Sequence, residues 1–181
     1  DHGAQIINLS LGGITPNTTL ERAVNYDVAR GVLMVAASGN DGAGNLRYPA
    51  NYAPVLSVGS VNSINQRSAF SNYGSGLDVV APGEDIYSTN PGGGYGYRSG
   101  TSMSAPYVSG LAAILWGMPG YGRANTVSGV IRNTARDLGD PGWEVEYGYA
   151  INQMDDALGV SIVDTEKENT IPPQYTGGFP A

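Results

Sequence analysis

Residues 5–37, QIINLSLGGITPNTTLERAVNYDVARGVLMVAA, decide the fold of this chain. The short apolar run at 5–9 predicts a buried strand, and the continuous apolar run at 32–37 predicts a second one. Between them, Thr18 and Glu21 fit a capping box at the start of an amphipathic helix. Strand, helix and strand in this order predict a βαβ unit in a parallel sheet that is buried on both faces.

The sequence after this unit is typical of the same α/β class. Residues 55–61 and 78–81 predict further strands, with turn-rich sequence between them. The glycine-rich stretch at 91–100 is interpreted as a loop that leads into a helix from about Ser102 to Trp116. Because this helix is apolar almost all round, we expect it to be central and buried.

The last part of the chain divides into two helices and a segment without periodicity. Residues 126–138 and 152–158 predict helices, each followed by a glycine. Beyond them, Pro, Gly and charged residues follow one another without an apolar period, as in a linker. We therefore predict one domain over residues 1–159 and a tail or linker over residues 160–181.

Composition and charge exclude several classes of protein. The chain has 181 residues, of which 41% are hydrophobic, so it can bury a core and is not a disordered segment. Its net charge of -7, with a single lysine, argues against a nucleic-acid binder. The absence of cysteine removes disulfides, thiolate metal sites and cysteine nucleophiles. No apolar run is long enough to cross a bilayer.

The sharpest motif is GTSMSAP, residues 100–106, where the glycine-rich stretch meets the apolar helix. A serine at a helix start directs its backbone N–H at whatever binds there, and the helix dipole favours negative charge at that point. Gly100 lets a substrate backbone approach closely. By itself, however, such a motif is more often a simple serine cap before a helix.

Two further motifs follow predicted strands, at the sheet edge where open parallel sheets bind ligands. Residues 36–42, AASGNDG, contain Asn40, whose side-chain amide can donate to a developing oxyanion. An asparagine in a turn is the alternative. Residues 10–13, SLGG, follow the first strand, and a plain glycine turn is the alternative there.

Taken together, these motifs resemble the subtilisin family of serine peptidases. The resemblance covers residues 3–158 and includes, in the family's order, INLSLGG, VAASGNDG, YPANYAPVLSVGSV, RSAFSNYGSGLDVVAPG and SGTSMSAPYVSGLAA. It implies a three-layer αβα fold with a mostly parallel sheet, incomplete at its N-terminal side. It also implies a secreted, extracellular hydrolase that cleaves peptide bonds through an acyl-enzyme.

The resemblance assigns catalytic roles to two residues. Ser102 matches the family's nucleophile. Asn40 matches the side-chain donor of the oxyanion hole, with the backbone N–H of Ser102 as the second donor. The peptide or protein substrate is therefore expected at the start of the apolar helix.

The resemblance also assigns the residues that bind the substrate. They form a strand that pairs with the substrate backbone and two walls of the S1 pocket, which holds the side chain before the cleaved bond. The first wall comprises Ser10, Leu11 and Gly12, and the opposite wall comprises Ala37, Ser38 and Gly39. Because these walls are small and uncharged, we expect a broad or apolar preference at S1.

The catalytic aspartate and histidine are missing from the expected place. In this family both precede the SLGG strand, and the one histidine of the chain is His2. The resemblance implies that Asp1 and His2 lie at a helix end away from the active site. We therefore predict that this chain alone is inactive or nearly so, because a serine hydroxyl is a weak nucleophile without a base.

An N-terminal fragment of the same protease, carrying the aspartate and histidine, is the predicted partner. The alternative is a non-catalytic fragment or pseudopeptidase that acts as a binding or structural module.

Asp78 is a candidate calcium ligand. The resemblance implies a structural calcium site built from the Asp78 carboxylate and the backbone carbonyls of Ala53 and Val55, and calcium prefers such oxygen ligands. A salt-bridged or capping aspartate is the alternative, and neither is favoured by the sequence. No organic cofactor is predicted.

Overall fold

The computed structural model describes residues 3–152 and 157–158. The predictions that concern Asp1 and His2, most of the last helix at 152–158, and the tail at 160–181 lie outside the described residues.

A parallel sheet lies at the centre of the described chain. Its strands pair in chain order: β1 (Ile6–Leu9), β2 (Leu33–Ala37), β3 (Leu56–Val61) and β4 (Val79–Pro82). Strands β2 and β3 are buried along their whole length, because both faces of the sheet are covered. Strand β1 is an edge of this sheet, and its residues are only partly buried or exposed.

Helices cover the two faces of the sheet and make three layers. They are α1 (Thr18–Val28), α2 (Thr101–Trp116) and α3 (Ala124–Asn133). Successive residues of β2 point to opposite faces: Met34 packs in one core cluster with Val24 of α1, and Val35 packs in another with Leu111 of α2. The predicted three-layer α/β fold with a mostly parallel sheet is confirmed.

Helix α1 begins where it was predicted, but its cap is a different residue. Asn17 has an extended backbone, and its Oδ1 accepts hydrogen bonds from the N–H groups of Thr19 and Leu20 at 2.9 and 3.0 Å. The capping box from Thr18 to Glu21 was therefore wrong by one residue. Asn17 is a strong cap in its own right and leaves Thr18 inside the first turn.

The glycine-rich stretch before α2 was predicted as a loop, and that was wrong for part of it. Strand β5 (Ile86–Thr89) and strand β6 (Tyr95–Arg98) form an antiparallel hairpin. The turn contains Gly92, Gly93 and Gly94, all at positive φ, which glycine adopts without a steric penalty. The hairpin returns the chain to the sheet edge where α2 begins.

Helix α2 contacts all four strands, yet it is not buried all round. Its exposed face has helical spacing and consists of Pro106, Tyr107, Gly110, Ala113 and Ile114. Tyr107 and Ile114 are each 47% exposed. The prediction of a fully buried helix was therefore wrong for this face, which we call the exposed α2 face.

Helix α3 is shorter than its predicted range, because it ends at Asn133. Beyond it, Arg136 pairs through its backbone with Ile151. Within the described residues, none of the helices is both long enough and apolar enough to cross a membrane.

Candidate active site

Ser102 lies in the first turn of α2, at the carboxyl edge of the parallel sheet. Gly100 precedes the helix with φ 153, a conformation that favours glycine. A Cβ on Gly100 would lie 3.3 Å from Nδ2 of Asn40 and 3.8 Å from the backbone N of Ser102. The two predicted oxyanion donors therefore border the same small space, and the absence of a side chain at Gly100 keeps that space open.

The side chain of Asn40 is held in one orientation by Thr101. Its Oδ1 accepts from the backbone N of Thr101 at 2.8 Å and from the Thr101 hydroxyl at 2.9 Å. Because a backbone N–H can only donate, the amide oxygen must face Thr101 and Nδ2 must point away. Nδ2 is thereby left as a donor for another group. Sequence reasoning missed this role of Thr101, although it is the central residue of Gly-Thr-Ser.

Ser10 connects the end of β1 to the nucleophile. The Ser10 hydroxyl donates to the carbonyl of Ser102 at 2.8 Å, and the Ser102 hydroxyl donates to the carbonyl of Ser10 at 3.3 Å. No histidine is present within residues 3–152 or at 157–158. Within the described residues, the Ser102 hydroxyl therefore has no histidine that could act as its general base.

A cavity of about 270 Å³ opens beside Ser102. It is lined by Leu11, Gly12, Ile14, Ala37, Gly39, Asn40, Asp41, Arg47, Thr101 and Ser102. The structure thus brings together residues from three separate motifs. Two of the predicted wall residues, Ser10 and Ser38, do not line this cavity. Ser38 is fully buried, and its hydroxyl donates to the carbonyl of Asn72 at 3.0 Å.

Two charged side chains, Asp41 and Arg47, line this cavity, and the wall motifs in the sequence did not predict them. Arg47 donates from Nε to Oδ2 of Asp41 at 2.6 Å. This hydrogen bond, supported by a second one from Asn72, lowers the pKa of the Asp41 carboxyl, and the same bond raises the pKa of Arg47. The predicted wall residues are small and uncharged, and Asp41 and Arg47 add two charged side chains to the lining of this cavity.

Asn72 organises the loop that carries Asn40 and Asp41. It is fully buried, and its Oδ1 accepts from the backbone N of Asp41 at 2.8 Å and of Ala43 at 3.2 Å. Its Nδ2 donates to the carbonyl of Asn45 at 3.0 Å. One buried amide therefore fixes several groups of this loop. Asn72 lies within a motif that carried the family resemblance, which was the signal available in the sequence.

Asp78 has its own set of partners. It lines a cavity of about 570 Å³ together with Ala53 and Val55, as the calcium prediction requires. However, its Oδ1 accepts from Nε of Arg132 at 2.8 Å, and its Oδ2 accepts from the backbone N of Ser57 at 2.8 Å. A guanidinium on the carboxylate fits a divalent cation poorly, because it already balances the negative charge.

No group of three or more acidic or histidine side chains suited to a metal occurs among the residues that the structure describes. Calcium at Asp78 therefore stays a prediction, and the ion pair with Arg132 is the interaction that is present.

A serine at a helix N-terminus, bordered by a backbone and an amide donor, is the arrangement that a serine hydrolase needs at its nucleophile. A family model described as the subtilase family, peptidase S8, matches residues 1–150. The chain belongs to the subtilase family, and the family resemblance seen in its motifs is confirmed.

Relatives of known activity agree with this assignment. The chain is 47% identical over 140 residues to subtilisin Savinase of Lederbergia lenta, covering 77% of this chain and 52% of that protein. It is 47% identical over 141 residues to the M-protease of Shouchella clausii, covering 77% and 37% of the two sequences. The chain thus spans about half of the first relative and just over a third of the second.

A solved structure, that of the prenylagaramide maturation protease PagA, superimposes with a TM-score of 0.80 at 32% sequence identity. The alignment covers 87% of this chain and 61% of that one.

Proposed function

We propose that this chain supplies the nucleophile, the oxyanion hole and the S1 walls of a serine endopeptidase. The observation that carries the proposal is the space in front of Gly100, which the backbone N of Ser102 and Nδ2 of Asn40 border together. Family membership and relatives named as proteases support it.

The chemistry follows from these groups. An extended peptide pairs with residues Ser10–Gly12 at the end of β1. Ser102 Oγ attacks the carbonyl carbon while its proton passes to a base, and the carbonyl oxygen becomes an oxyanion that accepts hydrogen bonds from Ser102 N and Asn40 Nδ2. The C–N bond then breaks, the amine leaves with that proton, and water hydrolyses the acyl-enzyme.

The base and its orienting carboxylate must come from outside the described residues. We propose an N-terminal segment of the same protease as their source. Two features support it: among the described residues no strand pairs with the outer edge of β1, and the exposed α2 face is apolar. The chain without that segment should be inactive or nearly so.

Secretion belongs to the same proposal and rests on the family alone. A structural calcium ion at Asp78 would add stability rather than chemistry. It predicts a higher melting temperature with calcium than with a chelator, and an unchanged melting temperature would count against it.

A non-catalytic module is the second candidate. The observation in its favour is that the Ser102 hydroxyl donates to the Ser10 carbonyl and has no base among the described residues. Such a protein would keep the fold and the peptide-binding strand while leaving Ser102 unreactive.

Reactivity of Ser102 separates the two candidates. A fluorophosphonate probe is added to the chain alone and to the chain with its N-terminal segment, and intact masses are recorded, with Ser102→Ala as the control. One adduct on the assembled protein, absent from Ser102→Ala, is expected. No adduct on the assembled protein would refute the endopeptidase and leave the binding module.

A further inference from the structure

Arg47 lines the cavity beside Ser102, and its stem lies next to both predicted walls. A Cβ on Gly12 would lie 2.8 Å from Cβ of Arg47, and a Cβ on Gly39 would lie 2.5 Å from Cγ of Arg47. The arginine stem therefore passes between the two predicted walls. At Gly12 the stem occupies the space that a side chain would take, and at Gly39 the Asn72 amide and the stem occupy it together.

The guanidinium of Arg47 has donors to spare. The guanidinium donates from Nε to the carboxylate of Asp41. Among the described residues it makes no other hydrogen bond. A guanidinium carries five N–H donors in a fixed fork. The terminal nitrogens are therefore free to meet a ligand, and a carboxylate matches their geometry best.

Asp41 does not cancel this preference. Its side chain is 42% exposed whereas that of Arg47 is 17% exposed, so the negative partner lies nearer to solvent and the positive one deeper. One oxygen of Asp41, Oδ2, accepts from both Arg47 Nε and Asn72 Nδ2, at 2.6 and 3.2 Å. A carboxylate that enters the cavity can therefore bind the terminal nitrogens of Arg47, while Asp41 stays paired with its Nε.

Two apolar side chains also line the cavity. Leu11 and Ile14 line it and are 55% and 71% exposed. These side chains can pack against the methylene groups of a substrate residue whose charged end reaches Arg47. A side chain of the length of glutamate combines both properties.

We propose that Arg47 makes this pocket select a substrate side chain that ends in a carboxylate, glutamate above all, over one that ends in an amine or guanidinium. The proposal rests on the proposed endopeptidase function and names the substrate class of that same site. It replaces the broad or apolar preference that the wall motifs indicated.

The test uses the whole protease, that is, this chain together with the segment that supplies the base. Peptide substrates differ only in the residue before the cleaved bond, which is Glu, Gln, Leu or Lys, and kcat/KM is measured for each. We expect Glu to exceed its uncharged isostere Gln and Lys to be cleaved most slowly. Arg47→Gln should lower the Glu-to-Gln ratio by about tenfold or more, since a hydrogen bond to a charged group is lost.

Asp41→Asn provides a change in the opposite direction. It removes the competing carboxylate and should raise the Glu-to-Gln ratio. Arg22→Gln, on the exposed side of α1, is the matched control and should leave the ratio unchanged. If Arg47→Gln fails to fold, the Asp41→Asn result decides, because a fall or no change in the ratio would overturn the proposal.

The possible outcomes distinguish a failure of the proposed endopeptidase function from a failure of the role proposed for Arg47. A protease that labels at Ser102 but cleaves after Lys or Gln as well as after Glu keeps its function and overturns the role of Arg47. A protein that is never labelled at Ser102 overturns both proposals. Glu selectivity that disappears in Arg47→Gln and persists in Arg22→Gln supports the proposal.

Discussion

At the scale of single residues, the site depends on hydrogen bonds that determine which end of a side chain faces the expected substrate position. Asn40 presents its amide nitrogen as a donor because its oxygen accepts hydrogen bonds from Thr101. The residue type was evident in the sequence, but the orientation was not, because Thr101 lies on another element. A motif thus predicted the donor, and only the fold shows what positions it.

Asn40→Asp tests this arrangement with almost no change in shape. The acceptor for Thr101 remains, whereas the Nδ2 donor becomes an oxygen that repels the oxyanion. We expect kcat of the assembled protease to fall by about 10²–10³, a magnitude established for subtilisin itself, with a smaller change in KM. Asn45→Asp, exposed on the same loop, should have little effect. Equal losses in both variants would contradict a specific role for Asn40.

Glu144 is a carboxylate in an unfavourable position. Burial raises its pKa, and the negative charges of Glu146, Asp140 and Asp137 add to the shift. Its Oε1 is a buried atom without a hydrogen-bond partner among the described residues. The pKa of Glu144 is higher in the folded than in the unfolded state. Its ionisation therefore lowers the free energy of unfolding as the pH rises above the ordinary pKa of a glutamate, about 4.3.

Glu144→Gln should therefore raise the melting temperature at pH 7 and leave it nearly unchanged at about pH 3, where the carboxyl is protonated in both states. Thermal unfolding of the Ser102→Ala protein, which cannot digest itself, measures this across the pH range. Glu84→Gln serves as the control. A gain of the same size at both pH values would show that the charge of Glu144 is not the cause.

At the scale of elements, the position of α2 is set by a close contact with the segment after β4. The backbone N of Gly100 donates to the carbonyl of Gly83 at 2.7 Å. A Cβ on Gly83 would collide with the hydroxyl of Ser104 and would lie 2.5 Å from that of Ser60 and 2.8 Å from the carbonyl of Gly100. Gly83 thus lets the start of α2 approach the sheet.

Gly83→Ala should displace the first turn of α2 or strain the sheet around it. We expect a loss of about 1–3 kcal/mol in the free energy of unfolding, as for overpacked cores, and slower labelling of Ser102 by fluorophosphonate. Gly129→Ala is the matched control, because a Cβ there meets nothing within 4 Å inside α3. It should be neutral or stabilising by up to about 1 kcal/mol. Normal labelling and stability in Gly83→Ala would refute this account.

Local sequence patterns predicted most helices and strands. They missed a hairpin and a helix end that depend on pairing with residues elsewhere in the chain. Periodicity located the four strands of the sheet, α1 and α2. The hairpin of β5 and β6 was missed because glycines dominate its sequence, and only the alternation in residues 95–98 hints at a strand. The end of α3 was misplaced because the backbone of Arg136 pairs with Ile151, a partner that the local sequence does not reveal.

At the scale of the whole molecule, the nucleophile motif, the asparagine loop and the end of β1 meet at one sheet edge. The family motifs predicted which segments would meet. They did not predict Arg47, which stands in an ordinary polar stretch and becomes part of the site only when the chain folds. The exposed α2 face was likewise hidden, since an apolar sequence does not say which side of a helix lacks a neighbour.

The exposed α2 face should be covered in the whole protease. Ile114→Asp would then bury an unpaired charge and lower the free energy of unfolding by about 3 kcal/mol or more. Ile64→Asp is the control, because Ile64 is 69% exposed in a turn and distant from α2 in sequence. Chemical denaturation of the Ser102→Ala protease measures both. Equal, small effects would mean that nothing packs on this face.

The parallel strand order of the sheet also affects the rate at which the protein folds. Each strand pair is closed by a long connection, and the contacts between Ser10 and Ser102 join distant parts of the chain. Contacts of this kind form late, since closing long loops costs chain entropy before any contact compensates it. Unfinished chains then expose apolar strands to one another. We therefore expect the yield of folded protein to depend on the competition between folding and aggregation. Slow expression at low temperature should favour folding.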